Sequence, residues 1–387
     1  MSKENVIREP LFHITKRSNL PLWKAICIRA AAILAGFVVC MVLCSIIFGA
    51  NPFAVVGEMF NGNFGTQRRF WITLRDTALL LGVGLALTPA FRMKFWNLGG
   101  NGQILMGCLA AIGCMHLLGG TLPDPVVWLL MIITSVLAGI IWAVIPAIFK
   151  AFFNTNESLF TLMMNYIAVG IVSYAISKWA KSGSGVMGLV SKANFPEIYN
   201  QHLLSILIIL GLCIFMYLFI RFTKKGYEVD VVGESTNTAK YVGINVKKVV
   251  IKTMALSGAI CGVVGLLIAG CVDHTISETS ANNMGFTAIM VAWLAKFNPL
   301  IMIATSFFIS FLNNGMGQVQ TAFKITNDAV SNIIIGIIYF CVIGCEFFIM
   351  YKVNFRKKKK EVISNDFINK PKEEEKPSKT KANKEEK

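Results

Sequence analysis

The sequence predicts an all-α polytopic membrane protein of about ten transmembrane helices. Three observations carry this. Only 15% of the residues are charged and 55% are hydrophobic, with mean hydropathy +0.61, too few charges to clothe a soluble protein of 387 residues. Windows of about 20 apolar residues recur, the length that crosses about 30 Å of hydrocarbon at about 1.5 Å per residue. The period-two alternation of a membrane β-barrel is absent.

The elements follow in order. Residues 1–29 form a basic lead, with Lys3, Arg8, Lys16 and Arg17 ahead of the first apolar run. That run lacks a small-residue cleavage site in the usual place, so it reads as a retained first helix rather than a signal peptide. Apolar length and flanks put the spans at residues 30–49, 74–91, 102–120, 126–149, 158–178, 203–221, 249–271, 284–296, 299–313 and 330–351. The eighth and ninth are short and read as half-helices or tilted segments packed in protein. The permease domain so defined covers 30–351, interrupted by a polar loop at 222–248. Residues 181–202, with Gly, Ser and Lys, read as a surface loop open to a partner. Residues 352–387 begin with a basic run at 356–360 and continue as a Lys/Glu/Pro/Ser/Asn mixture that cannot bury a core, so disorder is expected. The basic run is placed to anchor the last helix against anionic headgroups.

Orientation follows from the loops. With the N-terminus inside, the inner set holds Arg92, Lys94, Lys150, Lys224, Lys225, Lys240, Lys247, Lys248, Lys296 and the 356–360 run. The outer set holds only Arg68, Arg69, Arg75, Lys181, Lys192 and Lys324. The positive-inside bias therefore favours both termini inside. The same placement explains the net charge of +16 as basic membrane flanks and argues against a nucleic-acid partner. The ten cysteines form no C-x-x-C pair, and most sit inside spans as small apolar groups. His13, His116, His202 and His274 are scattered, which leaves a metal site without support. No cofactor is expected.

Catalysis has little to work with. No G-x-x-x-x-G-K-[ST] loop occurs, so the chain does not hold ATP by a P-loop. Paired aspartates for magnesium, as a membrane prenyl transferase needs, are missing. Carboxylates are nearly absent from the spans: Glu346 lies near one end, and Asp76, Glu157 and Asp273 lie at others. An ion-coupled secondary transporter, the rival reading, usually keeps an ionisable relay at mid-membrane. The energy for active transport is expected from a partner.

Two segments carry functional chemistry. VGESTNTAKYVGI at 232–244 is a short polar helix candidate, with Glu234 near its positive start, Lys240 near its negative end and Gly243 where a left-handed C-cap is wanted. FWNLGGNGQILMG at 95–107 brings Asn97, Asn101, Gln103 and four glycines into an apolar span. Amides offer donors and acceptors without a buried charge, which suits a neutral, hydroxyl-rich ligand. Helix capping and close packing through the glycines fit the pattern equally well. Asn165, in an apolar helix, has the same two readings: ligand contact or a bond to a neighbouring helix. Phe95, Trp96, Phe286 and Trp293 can stack a nucleobase, though packing or interfacial roles are commoner for such residues.

Four segments in order resemble the permeases that import nucleosides and simple sugars in the branched-chain-permease superfamily of ABC importers. The 95–107 segment is similar to N-[IL]-G-x-E-G-Q, NESLFTLMMNYIA at 156–168 to NE-x-x-x-TLMLNYIA, GESTNTAKYVGINV at 233–246 to the coupling loop GENPxAARYAGINV, and GFTAIMVAWLAKFNPL at 285–300 to GFxAIAVALLGxxxP. The four segments lie between residues 95 and 300, and the resemblance as a whole covers roughly residues 20–351. Asn101 stands where the family has an acidic residue, and Ser235, Thr236 and Thr238 replace Asn, Pro and Ala of the loop. The resemblance implies two pseudo-related halves in a multi-pass cell-membrane subunit that is not itself an enzyme. It implies an ABC ATPase docked on Gly233, Glu234, Ala239, Lys240, Tyr241 and Gly243, and a path lined by Asn97, Asn101, Gln103 and Asn165. It further implies a second related permease subunit and an extracellular lipoprotein or periplasmic binding protein. Nucleosides are the expected cargo, with a ribose- or galactose-type sugar as the alternative.

Overall fold

A computed structural model describes residues 12–16, 22–49, 51–180, 187–197, 199–325 and 328–355. The expectations for residues 1–11 and for the 356–387 tail lie outside these. The described residues fall into two compact units, one within residues 31–343 and a smaller one from residues 12–16, 22–30 and 344–355. In the smaller unit two short strands, β1 (Phe12–Lys16) and β2 (Tyr351–Phe355), pair antiparallel with Phe12 opposite Phe355. The all-helical expectation did not include this pair, because neither segment has an apolar partner nearby in sequence.

The rest is helical: α1 (Leu22–Phe48), α2 (Pro52–Phe64), α3 (Gln67–Arg92), α4 (Gly100–Leu118), α5 (Asp124–Phe153), α6 (Glu157–Trp179), α7 (Leu203–Phe222), α8 (Lys224–Glu234), α9 (Thr236–Tyr241), α10 (Val246–Leu267), α11 (Met284–Leu294), α12 (Pro299–Ala322) and α13 (Asp328–Met350). Among the described residues, seven helices are long and apolar enough to cross a membrane, and three shorter apolar stretches lie in α1, α11 and α13. α10 runs on through a π-helical turn, Ile268–Asp273, closed by His274 in the left-handed region.

α3 is the central post. Thr66 caps it by accepting from the Arg69 amide at 3.2 Å, and every residue from Thr77 to Phe91 is buried. α4, α5 and α10 pack together through glycines. A side chain on Gly107 would stand 2.9 Å from the Gly262 Cα, so the two backbones meet there directly.

Two departures have physical causes. α12 extends to Ala322, where the apolar window ended at 313. Asn314 donates to Asp76 at 3.1 Å and Gln318 to Glu58 at 3.1 Å, so polar residues that end the hydropathy window hold the helix against α3 and α2. α2 was not anticipated: its 13 residues include Glu58, Asn61 and Asn63, too short and polar for a span. Its buried Asn63 donates to the Phe311 carbonyl at 3.0 Å and accepts from Thr73 at 3.0 Å.

The glycine seam is testable. Gly262→Val forces a β-branched side chain into the Ser135 carbonyl and is expected to cost about 1–3 kcal/mol. The detergent-solubilised chain should melt lower, while Gly170→Val, with open space around it, should not lower the melting temperature.

Candidate functional site

Between α3 and α4 the helix breaks. The chain leaves α3 through Lys94, at φ +58°, and residues 95–99 run unwound before α4 starts at Gly100. Phe95, Asn97 and Gly99 are buried, so this backbone needs partners from protein rather than water. The amides supply them. Asn97 Oδ1 accepts from the Gly99 amide at 3.0 Å and from Gln103 Nε2 at 3.2 Å, and its Nδ2 donates to Ser257 Oγ of α10 at 3.2 Å. From α6, Asn165 donates to the Leu98 carbonyl at 2.8 Å and accepts from the Gly102 amide at 2.8 Å. Thr161 accepts from the Leu98 amide at 3.1 Å. Asn101 Oδ1 accepts from the Gly285 amide at 2.7 Å, which ties the start of α4 to the start of α11.

Asn97, Asn101, Gln103 and Asn165 thus fall in one cluster. All are buried, with exposures of 0%, 9%, 1% and 7%. Two buried polar atoms in this region have no hydrogen-bond partner: Gln103 Oε1 and Trp142 Nε1, the latter 3.0 Å from where a side chain on Gly102 would begin.

The second candidate region is an elbow. The helix expected from Glu234 starts instead at Thr236, and Glu234 closes α8. Ser235 is the corner. Its amide donates to the Val231 carbonyl, and its hydroxyl accepts from the Thr238 amide at 3.2 Å. Gly243 sits at φ +83°, and the Ile244 amide reaches back to the Ala239 carbonyl at 2.9 Å, as the expected left-handed cap requires.

The inner side of the elbow is rooted in the bundle. Ala239 is fully buried in an apolar cluster with Val229, Val232, Phe95, Ala143 and Met254. A side chain on Gly233 would strike the Arg92 carbonyl. The outer side is bare: Tyr241 is 92% exposed and Val242 66%, with Lys240 exposed beside them. Glu234 lies between two clefts that flank the elbow.

Arg92 and Asp230, 138 residues apart, form an ion pair at 2.7 Å that joins the end of α3 to α8. Burial pushes the Asp230 carboxyl up and the Arg92 guanidinium pulls it back. In the sequence Arg92 is only an inner charge, since nothing local pairs it with Asp230.

The aromatic candidates divide. Phe95 is core, while Trp96 and Trp293 face each other with ring centroids 5.7 Å apart, and Phe286 is 38% exposed. The ends of α3 and α11 are local copies. Ala90-Phe91-Arg92-Met93-Lys94-Phe95 and Ala292-Trp293-Leu294-Ala295-Lys296-Phe297 close with the same bonds. Lys94 and Lys296 donate to Phe91 and Trp293 at 2.9 and 3.0 Å, and Phe95 and Phe297 to Ala90 and Ala292 at 2.9 Å.

A bundle of membrane-length helices, broken inside by an amide-held loop and carrying an exposed elbow but no nucleotide loop, has the build of a transport permease driven by another subunit. Residues 69–343 match the family described as branched-chain amino acid transport system / permease component, and the chain belongs to it. It is therefore a multi-pass membrane transport subunit rather than an enzyme. Among its relatives, the guanosine ABC transporter permease protein NupP of Bacillus subtilis is 28% identical over 77% of this chain and 88% of its own length. The nucleoside ABC transporter permease protein NupB of Lactococcus lactis is 25% identical over 83% and 89%. The glucose ABC transporter permease protein TsgB13 of Haloferax volcanii is 25% identical over 87% and 92%.

Asn165→Leu tests the loop's support. It orphans the Leu98 carbonyl and the Gly102 amide, at about 1–3 kcal/mol for each group left unpaired. Thermal melting in detergent should fall. A wild-type melting temperature would show that the break is held by something else.

Proposed function

We propose that this chain is the membrane-spanning permease subunit of an ABC importer of nucleosides. The observation that carries the reading is the elbow: α8 and α9 are rooted in the bundle through Gly233 and Ala239 while Tyr241 stands free. On this reading an ABC ATPase binds the outer face of α9, with Glu234, Lys240, Tyr241 and the Gly243 cap at the contact. A second related permease subunit completes the path, and an extracellular lipoprotein or periplasmic binding protein delivers the cargo.

The elbow then faces the cytoplasm, ten segments cross or enter the bilayer, and both termini lie inside. The β1–β2 pairing supports the last point, because it puts residues 12–16 and 351–355 on one side of any bilayer. Asn97, Asn101, Gln103 and Asn165 form the polar wall of the path. The unpartnered Gln103 Oε1 and Trp142 Nε1 support this, as an acceptor and a donor for a neutral ligand. Nucleosides are favoured because NupP and NupB bear guanosine and nucleoside in their names. The glucose permease TsgB13 keeps a simple sugar as the second reading.

Gly243→Val strains the cap by about 1–2 kcal/mol at a position with open space around it. The bundle should therefore melt normally while ATP-driven uptake by the reconstituted importer falls sharply. Normal uptake would count against the elbow as the coupling element.

Cargo class has its own test. A charged ligand would shed its hydration beside a wall of amides without a counter-charge, at several kcal/mol, whereas a neutral nucleoside exchanges water for amide bonds at little net cost. Proteoliposomes holding the full importer should accumulate labelled guanosine on ATP, and guanosine 5′-monophosphate added outside should neither enter nor compete. Uptake of labelled glucose instead would favour the sugar reading.

A further inference from the structure

A cavity of about 990 Å³ opens beside the elbow, between the ends of α3, α7, α8 and α11 and the start of α12. That is at the upper end of the range for small-molecule sites, about 300–1,000 Å³. Its lining is neither plain membrane flank nor plain core. Phe91, Trp96, Tyr217, Trp293 and Phe297 bring five aromatic side chains to one space. Phe91 and Phe297 stack at 6.2 Å with 17° between planes, and Trp96 meets Trp293 at 5.7 Å, so the rings already form an ordered platform. Among the described residues, Arg92, Lys94, Arg221 and Lys296 line the same space with Asp230 and Glu234, and Asp230 is engaged by Arg92.

The two lysines occupy positions where lysine is an expensive choice. Lys94 and Lys296 sit at φ +58° and +51° in the twin caps, where glycine or asparagine is accommodated with less strain. The duplicated cap therefore puts two lysines on the lining of one aromatic cavity, one from each copy. Aromatic faces take a planar base, and ammonium and guanidinium groups take a phosphate.

We propose that this cavity binds an aromatic phosphate ester, a nucleoside 5′-monophosphate, on the face of the protein opposite to substrate entry. The base lies against the Trp96–Trp293 platform and the phosphate against Lys94, Lys296 and Arg221. The choice of a nucleoside ester rests on the nucleoside reading above. The ligand's source is then a phosphoryl-transfer reaction that consumes the imported nucleoside. A phospholipid headgroup has the same phosphate chemistry but no base, and the experiment separates the two.

The full chain, purified alone into phosphatidylcholine nanodiscs, is titrated by calorimetry with guanosine 5′-monophosphate, guanosine and inorganic phosphate. Leaving out the ATPase removes its nucleotide sites, and no transport is needed, so failure of the importer reading would leave the result standing. The monophosphate is expected to bind saturably and at least tenfold more tightly than guanosine or phosphate. Lys94→Asn with Lys296→Asn, which keeps a residue tolerant of the left-handed region, should weaken it at least tenfold. Arg221→Gln, on an exposed position of α7, should weaken it as well and serves if the double variant elutes as aggregate. Equal binding of guanosine and its monophosphate would overturn the proposal. So would unchanged binding in the variants, which would leave the lysines as helix caps. Heat that depends on adding phosphatidylglycerol to the discs, with the monophosphate inert, would assign the cations to lipid and overturn it too.

Discussion

Everything in the bundle depends on how seven residues, 93–99, are kept non-helical where water is scarce. A helix satisfies its own backbone, but an unwound segment does not, and each buried group left over costs about 1–3 kcal/mol. The amides of Asn97 and Asn165 and the hydroxyl of Thr161 take up that demand, from α6 on one side and through Ser257 of α10 on the other. Once the break is held, α4 starts inside the protein. It can then lie against α10 along the Gly107–Gly262 seam and meet α11 through Asn101 and Gly285. The polar residues are thus the condition for the apolar packing.

The same arrangement bears on cargo. On the proposed reading, a wall whose amides are mostly held by protein partners need not rearrange when a ligand passes, and it carries no fixed charge to trap one. Weak, uncharged and rigid is what a transit site requires, because a ligand held tightly on the way would not leave. The permease family supplies the class of machine, and the proposed wall of amides would suit a neutral, hydrogen-bonding solute.

Much of this was legible in the sequence, for reasons that can be traced. All ten anticipated apolar segments fall on helices, seven of them long and apolar enough to cross a membrane, because apolar length against a fixed hydrocarbon thickness is a one-dimensional signal. Gly243 was legible because the left-handed cap leaves few residue choices. The short helix starts at Thr236, two residues beyond the expected Glu234: Glu234 and Ser235 both suit a helix start, and only the bond from Thr238 decides between them. α2 and the last turns of α12 were missed because their polar residues satisfy one another across the fold, as Gln318 does with Glu58. The amides at 97, 101, 103 and 165 stand out in the sequence, but whether each meets a ligand or a neighbouring helix does not, since hydropathy does not record direction. The Arg92–Asp230 pair and the twin caps exist only once α3, α8 and α11 are brought together.

The way the elbow is seated has a mechanical consequence. Gly233 lies flush against the Arg92 carbonyl, Arg92 grips Asp230, and Ala239 is sunk among core residues. α8 and the foot of α3 therefore form one close-packed bracket. On the proposed coupling reading, a load applied at Tyr241 would reach Phe91 as torque on the central post instead of dissipating in a loop. Compliance would then come from the far side of the bracket, where Gly243 stands in open space and leads into α10. An input that is stiff on one arm and yielding on the other would convert a push into a rotation, and so set a direction for the stroke.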